Sequence, residues 1–295
     1  MPPTIDLNAA GRQRLAIAQR VADAHRGIDD ASLLSFVSGS TVDGLADERS
    51  DVDMSVIFAA LPKAAALRDA CRRAGGSEWI WQIGKLAEGG SVVAFHVDAI
   101  EVQIGYSSQA VLNAELDGIL EQHNPDTPNH KLAEGVLKAQ PLAGGDRLLA
   151  LQARLAQFPP ALGRAMAVHG LASPTPWRAI NQIVHRDAEL WCREIQVDAC
   201  YRLLLILCGL NGRYFTRFQV KRLHRLAAQL PLAPPALADR IEALLAAPAR
   251  AAFTELHRLE GEVLARVAAR WPDIDLALQR ERRALYSVAT GGSGS

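Results

Sequence analysis

The sequence predicts an α+β protein, with an α/β half built on a mixed sheet followed by an all-helical half. Three observations predict it. Short apolar runs of strand character, separated by glycine turns, fall before residue 125. The segment Asn124-Pro125-Asp126-Thr127-Pro128-Asn129 then breaks the pattern. Beyond it strand signals almost vanish and helical periodicity repeats to the end. The expected domains are therefore 1–125 and 126–290. Gly291-Gly292-Ser293-Gly294-Ser295 reads as an appended linker outside the fold.

Residues 11–25 form an amphipathic helix, with Leu15, Ile17, Ala18 and Val21 toward a core. Residues 33–37 and 51–58 are the first two strands. A helix over 64–74 stops at Gly75-Gly76. A strand follows over 78–83, a turn at Gly89-Gly90, and one long or two short strands over 91–106. Residues 108–122 are helical, with Val111, Leu112, Leu116, Ile119 and Leu120 apolar. The second half carries expected helices at 146–157, 160–170, 176–195, 197–209, 216–229, 235–246, 250–270 and 273–286.

The segment of greatest chemical content joins the first two strands. It begins Ser38-Gly39-Ser40-Thr41-Val42-Asp43-Gly44 and ends Arg49-Ser50-Asp51-Val52-Asp53. Strand positions i and i+2 share a face, so Asp51 and Asp53 project together. Paired carboxylates suit a hard divalent cation such as Mg²⁺, alongside substrate phosphates. Gly39 lets backbone approach an anion, and Ser40 is expected at the N-terminus of a short helical segment, where free N–H groups favour phosphate. The alternative is a polar loop ahead of an edge strand.

This arrangement resembles the nucleotidyltransferase superfamily of DNA polymerase β, and most of all its aminoglycoside (kanamycin) nucleotidyltransferase branch. That branch carries Gly-Ser, a short helix, Ser-Asp-x-Asp and a strand. The resemblance implies a catalytic α/β domain with a helical second domain. It implies transfer of a nucleoside monophosphate, AMP from ATP or its counterpart from another NTP, to a hydroxyl. Mg²⁺, as two ions, would be the cofactor. Asp51 and Asp53 would be the metal ligands, and Gly39, Ser40, Arg49 and Ser50 the nucleotide contacts.

Two-metal transfer needs a further acidic group. In Asp98-Ala99-Ile100-Glu101-Val102-Gln103-Ile104, strand alternation puts Ile100, Val102 and Ile104 on the apolar face with Asp98 in register. Glu101 and Gln103 share the opposite face. Glu101 is thus the candidate, and the family's Glu-Val-x-Ile-like strand agrees, giving this Glu to metal or to proton abstraction. Asp98 is the fallback if the strand bulges.

In the helical half, His185, Glu189 and Arg193 recur every four residues on one expected face. The resemblance offers Glu189 and Arg193 as nucleotide-cleft residues, with Arg where the family has Lys; an ordinary Glu–Arg helix pair is the simpler account. Arg213 and Tyr214 in Leu210-Asn211-Gly212-Arg213-Tyr214-Phe215-Thr216 touch nucleotide or acceptor, or the segment is a packed hinge. Lys221, Arg222, His224 and Arg225 form a basic face, read as solvated. Arg164 with His169, and Arg178 with His185, meet a loose ribonuclease-toxin spacing that Arg-rich helices produce by chance.

Lys plus Arg equals Asp plus Glu at 32 each, which gives no electrostatic case for nucleic-acid binding. The acceptor is therefore expected to be a small hydroxylated molecule, with Asp187, Glu189, Glu194 and Asp198 available for a polycation. The main alternative is an antitoxin-like or regulatory nucleotidyltransferase module acting on a protein or RNA partner. The four cysteines form no Cys-x-x-Cys pair and read as core. A cytoplasmic, bacterial protein without a membrane span or zinc site is expected.

Overall fold

The computed structural model describes residues 7–286, so the 291–295 linker lies outside the described residues. The chain divides into two compact units, Met1–Gly118 with Leu132–Gln157 and Ile119–Lys131 with Phe158–Ser295. The division is interleaved rather than a single cut at the Asn-Pro break.

The first unit is built on a six-stranded mixed sheet in the order β3-β4-β5-β2-β1-β6. Its strands are β1 (Leu34–Ser38), β2 (Val52–Phe58), β3 (Trp81–Lys85), β4 (Gly90–Val97), β5 (Ile100–Ser108) and β6 (Gln140–Ala143). Only β2 and β5 run parallel, with Asp53 opposite Gln103. The helix α1 (Ala9–Asp29) starts at Asn8, whose side chain accepts from Gly11 N–H at 2.7 Å. α1 and α2 (Ala64–Arg73) contribute Ile17, Ala18, Val21, Leu67 and Cys71 to a core with Val52, Met54, Val56, Phe95, Val102 and Ile104. At about 25 cal/mol per Å² of apolar surface, that shared burial is what holds the sheet to the helices.

The region 91–106 is two strands, not one. They meet at a two-residue turn, Asp98-Ala99, with φ of 51° and 63° at the two residues. Asp98 thus leaves the strand, and its carboxylate pairs with Arg20 Nη2 at 2.6 Å. The periodicity argument that put it on the apolar face assumed an unbroken strand.

β6 corrects the expectation that strands cease after the break. It is four residues long and includes Pro141, so it lacks strand signals. An edge position tolerates the missing N–H, and β6 pairs antiparallel with β1 across a register shift. The guanidinium of Arg147, on α5 (Gly145–Ala156), donates to the carbonyls of Ser32 and Leu33 and ties this segment to the sheet. α4 (Asn129–Lys138) is a further helix that the sequence reading did not name. α3 (Gln109–Leu120) buries Leu112, Leu116, Ile119 and Leu120.

The second unit is helical: α6 (Pro160–Leu171), α7 (Trp177–Ile183), α8 (Glu189–Leu210), α9 (Leu223–Ala227), α10 (Leu237–Ala246), α11 (Ala249–Arg270) and α12 (Ala277–Ala284). Several boundaries differ from the sequence reading. The expected helices 176–195 and 197–209 become α7 and the 22-residue α8, with the break at 184–188. No glycine or proline marks that break. The expected helix 216–229 is a 3-10 stretch, Arg217–Arg222, followed by α9. Cys192, Cys200 and Cys208 all lie buried in α8, and burial pushes the Cys200 thiol up to about 12. Among the described residues, no helix is long and apolar enough to cross a membrane.

Candidate active site

Pairing places the predicted carboxylates on one face of the sheet. Val52, Met54 and Val56 alternate inward to the core, which turns Asp53 and Ser55 to the other side. Val102, Ile104 and Tyr106 do the same on β5 and turn out Glu101 and Gln103. Asp51 lies one step before β2, beside Glu101 in the continued parallel register. All four side chains are half-buried. The Nε2 of Gln103 donates to Asp51 Oδ2 at 3.0 Å and to Glu101 Oε1 at 2.9 Å. Asp51 and Glu101 therefore share one donor. The role of Gln103 was not anticipated, although strand alternation placed it on this face.

The Gly-Ser turn reaches the same place from β1. Ser38 is paired with Asp53, and Gly39 follows with φ +68°. A Cβ at Gly39 would collide with the Asp53 carboxylate, so only glycine allows this approach. The expected short helix is a single 3-10 turn, Gly39–Thr41, closed by the Val42 N–H on the Gly39 carbonyl, which also accepts from the Asp43 N–H at 3.1 Å. Ser40 is half-buried within it. Thr41 is fully buried, and its hydroxyl has no hydrogen-bond partner among the described residues.

The loop from 42 to 50 is held by α1. Asn8 Nδ2 donates to Ala46 O at 2.8 Å, and buried Arg14 donates through Nε to Ser50 O at 2.8 Å. Arg14 lies on the apolar side of an amphipathic helix, and periodicity gave no reason to single it out. Ser50 is engaged within its own loop. Its hydroxyl donates to Asp47 Oδ1 at 2.9 Å and accepts from Asp47 N–H at 3.0 Å. That hydroxyl and the Arg49 N–H hold the Asp47 carboxyl below its ordinary range. The Arg49 side chain is exposed.

Carboxylate oxygens are the donor chemistry a hard cation takes. Asp51, Asp53 and Glu101 fit it in kind. They do not close on a common point: among the described residues, no three His, Cys, Asp or Glu side chains form a group that could hold a metal ion. Mg–oxygen distances are about 2.0–2.1 Å, shorter than the two bonds that Asp51 and Glu101 make to the Gln103 amide.

The helical-unit candidates have structural partners. Arg193 meets Glu189 at 2.7 Å and also donates to the carbonyls of Leu245 and Ala247, at the C-terminal end of α10. That is where a cation is favoured by the helix dipole. His185 falls outside α8, in the break, and bonds Arg250. Asp198 pairs with Arg202 and Arg217. Tyr214 is buried against His130 and Phe158, at 5.8 and 5.1 Å between ring centroids. His224 meets Glu242 at 3.1 Å. Arg164 pairs with Asp273, and His169 lies 3.4 Å from Asp126.

No protein-family model matches the chain, and no curated protein does. Among solved structures it is similar to a nucleotidyltransferase-like protein from Exiguobacterium sibiricum 255-15. The two share 15% identity over 84% of this chain and 76% of that one, with a TM-score of 0.40. A likeness at that level adds no weight to any activity.

Proposed function

We propose that this chain is a divalent-metal-dependent nucleotidyltransferase. It moves a nucleoside monophosphate, AMP from ATP in the first instance, to a hydroxyl of a small molecule such as an aminoglycoside-like compound. One observation carries the reading: Asp51, Asp53 and Glu101 lie on a single sheet face, with the Gly39 turn packed against Asp53. A carboxylate set beside a tight glycine turn is what a nucleoside triphosphate with its cation needs.

In this reading Asp51 and Asp53 would hold Mg²⁺, and backbone N–H groups of the Gly39-Ser40 turn would meet the triphosphate. A bound cation supplies charge stabilisation at the α-phosphate and lowers the pKa of a bound hydroxyl. The acceptor oxygen bonds to the α-phosphorus as the bond to pyrophosphate breaks. Glu101 would be a further ligand or would take the hydroxyl proton, for which it must come within hydrogen-bond reach of the acceptor. Arg14 and Asn8 hold the 42–50 loop, which leads into Asp51.

The small acceptor is supported by charge. Lys plus Arg only balances Asp plus Glu, whereas phosphate-dominated binding needs clustered cations. The test is a panel with ATP labelled in the α-phosphate and Mg²⁺, offering aminoglycosides, other hydroxylated antibiotics, tRNA and protein. Label on a small hydroxylated compound is expected. Salt-sensitive label on tRNA alone, or label on protein alone, would refute the acceptor class. Nucleotide binding without turnover on any acceptor would refute the enzyme.

A further inference from the structure

Residues directly opposite each other on neighbouring strands share a sheet face, so the carboxylate face continues beyond the strands that carry it. From Asp53 one row runs to Gln103 on β5, Ala94 on β4 and Trp81 on β3. The next runs from Ser55 to Gly105, Val92 and Ile83. The polar half of the face thus passes into an apolar half. On the other side of β4 and β5, Val93, Phe95, Val102 and Ile104 are buried in the core. Ile83 and Val92 are instead 68% and 39% exposed, and Trp81 is half-buried. Gly105 leaves a notch beside Val92, since a Cβ there would meet nothing nearer than 3.8 Å. An exposed apolar strip bordered by polar groups marks a contact surface, and this one is continuous with the candidate site. All of it lies within the first unit.

The chemistry says what lies on it. In-line displacement puts the attacking and leaving oxygens on opposite sides of the phosphorus. The Gly39-Ser40 turn follows Ser38 at the β1 end of the Asp53 row. With pyrophosphate leaving there, the acceptor oxygen enters from the β5 side, past Glu101. The rest of the acceptor then extends over β4 and β3. We propose that Trp81, Ile83 and Val92 are the platform for the acceptor, which lays the apolar face of a ring on the indole and turns a hydroxyl toward Glu101. This rests on the nucleotidyltransferase reading of the carboxylate face. Two strand spacings, about 10 Å, separate the strand of Glu101 from that of Trp81, so the acceptor is at least that long. Carboxylates and an indole both favour a cation beside them, which selects a hydroxylated ring compound bearing amino groups.

The experiment measures kcat and KM for both substrates, with ATP labelled in the α-phosphate and kanamycin as the first acceptor. Any other small compound that the wild type labels takes kanamycin's place if kanamycin is not labelled. Wild type, Trp81→Ala, Trp81→Phe, Ile83→Thr and Leu149→Ala are compared, each checked by circular dichroism. Ile83→Thr keeps a β-branched residue at an exposed position, so it tests the platform even if Trp81→Ala folds poorly. The acceptor KM should rise about tenfold in Trp81→Ala and about threefold in Ile83→Thr. Trp81→Phe should stay near wild type, the ATP KM should hold throughout, and Leu149→Ala, exposed on α5, should change neither. An acceptor KM unchanged in both Trp81→Ala and Ile83→Thr overturns the platform and leaves the enzyme reading standing. A rise in the ATP KM alone puts the nucleobase on the indole and also overturns it. Label on no small compound overturns the platform and the small-acceptor reading together.

Discussion

Gly39→Ala separates backbone strain from damage to the site. The residue sits at φ +68°, where an L-residue with a Cβ costs roughly 1–2 kcal/mol. The new methyl group would also meet the Asp53 carboxylate. Gly75 supplies the reference. It has φ +82° at the end of α2, and a Cβ there meets nothing within 4 Å. Gly75→Ala therefore reads the backbone cost alone. At about 2–4 °C per kcal/mol for a chain of this order, each variant should melt roughly 2–8 °C below wild type. The extra cost in Gly39→Ala is small, because a short side chain can rotate away. Its catalytic cost is not, since displacing a reacting constellation by about 1 Å can lose about 10²-fold in rate. Thermal melts and initial rates of nucleotidyl transfer on the two variants decide it. If Gly39→Ala keeps transfer within about threefold of Gly75→Ala, Asp53 does not work from the place described, and the site argument fails.

Asp51→Asn and Asp53→Asn should each abolish transfer while leaving the circular dichroism and melting point near wild type; wild-type turnover in either would remove it from the site. Glu101→Gln should lower turnover by about 10²–10⁴-fold with nucleotide binding largely kept, and Asp98→Asn should be mild because Asp98 lies in the turn with Arg20; the reverse order in a kinetic comparison would reassign the carboxylate. Acid should destabilise both units. Burial lowers the pKa of His25, whose Nε2 meets the Tyr106 hydroxyl at 2.7 Å, and of His130, whose Nδ1 accepts the Phe215 N–H at 3.3 Å. The unfolded chain then binds more protons below the ordinary value of 6.5, so stability is full above 6.5 and falls as pH drops toward the folded values. His25→Gln should flatten the denaturant-midpoint profile over that range, by up to about 1.4 kcal/mol per pH unit; an unchanged slope would mean His25 titrates normally.

Much of the fold was legible in local chemistry. Short apolar runs marked β1 and β2, alternation marked β5, and Gly75-Gly76 marked the end of α2, because these signals act within a few residues. The carboxylate face was legible for the same reason: side chains alternate along a strand, so Asp51 with Asp53, and Glu101 with Gln103, follow from position alone. What failed was whatever a distant partner decides. β6 exists because β1 has an edge to complete, and nothing in Gln140-Pro141-Leu142-Ala143 announces a strand. The break between α7 and α8 carries no punctuating residue. Glu189 and Arg193 had helical spacing, but only tertiary structure showed Arg193 bound to the carbonyls at the end of α10.

The sequence by itself determined the class of the fold and which side chains share a strand face. Tertiary structure decided which strands are neighbours, and so brought Asp51 beside Glu101 from 50 residues away in the chain. It also placed the Gln103 amide between them and Arg14 beneath the loop. The physical reason is range. Periodicity and turn chemistry are properties of a few consecutive residues, whereas strand pairing and shared hydrogen bonds exist only once distant segments meet.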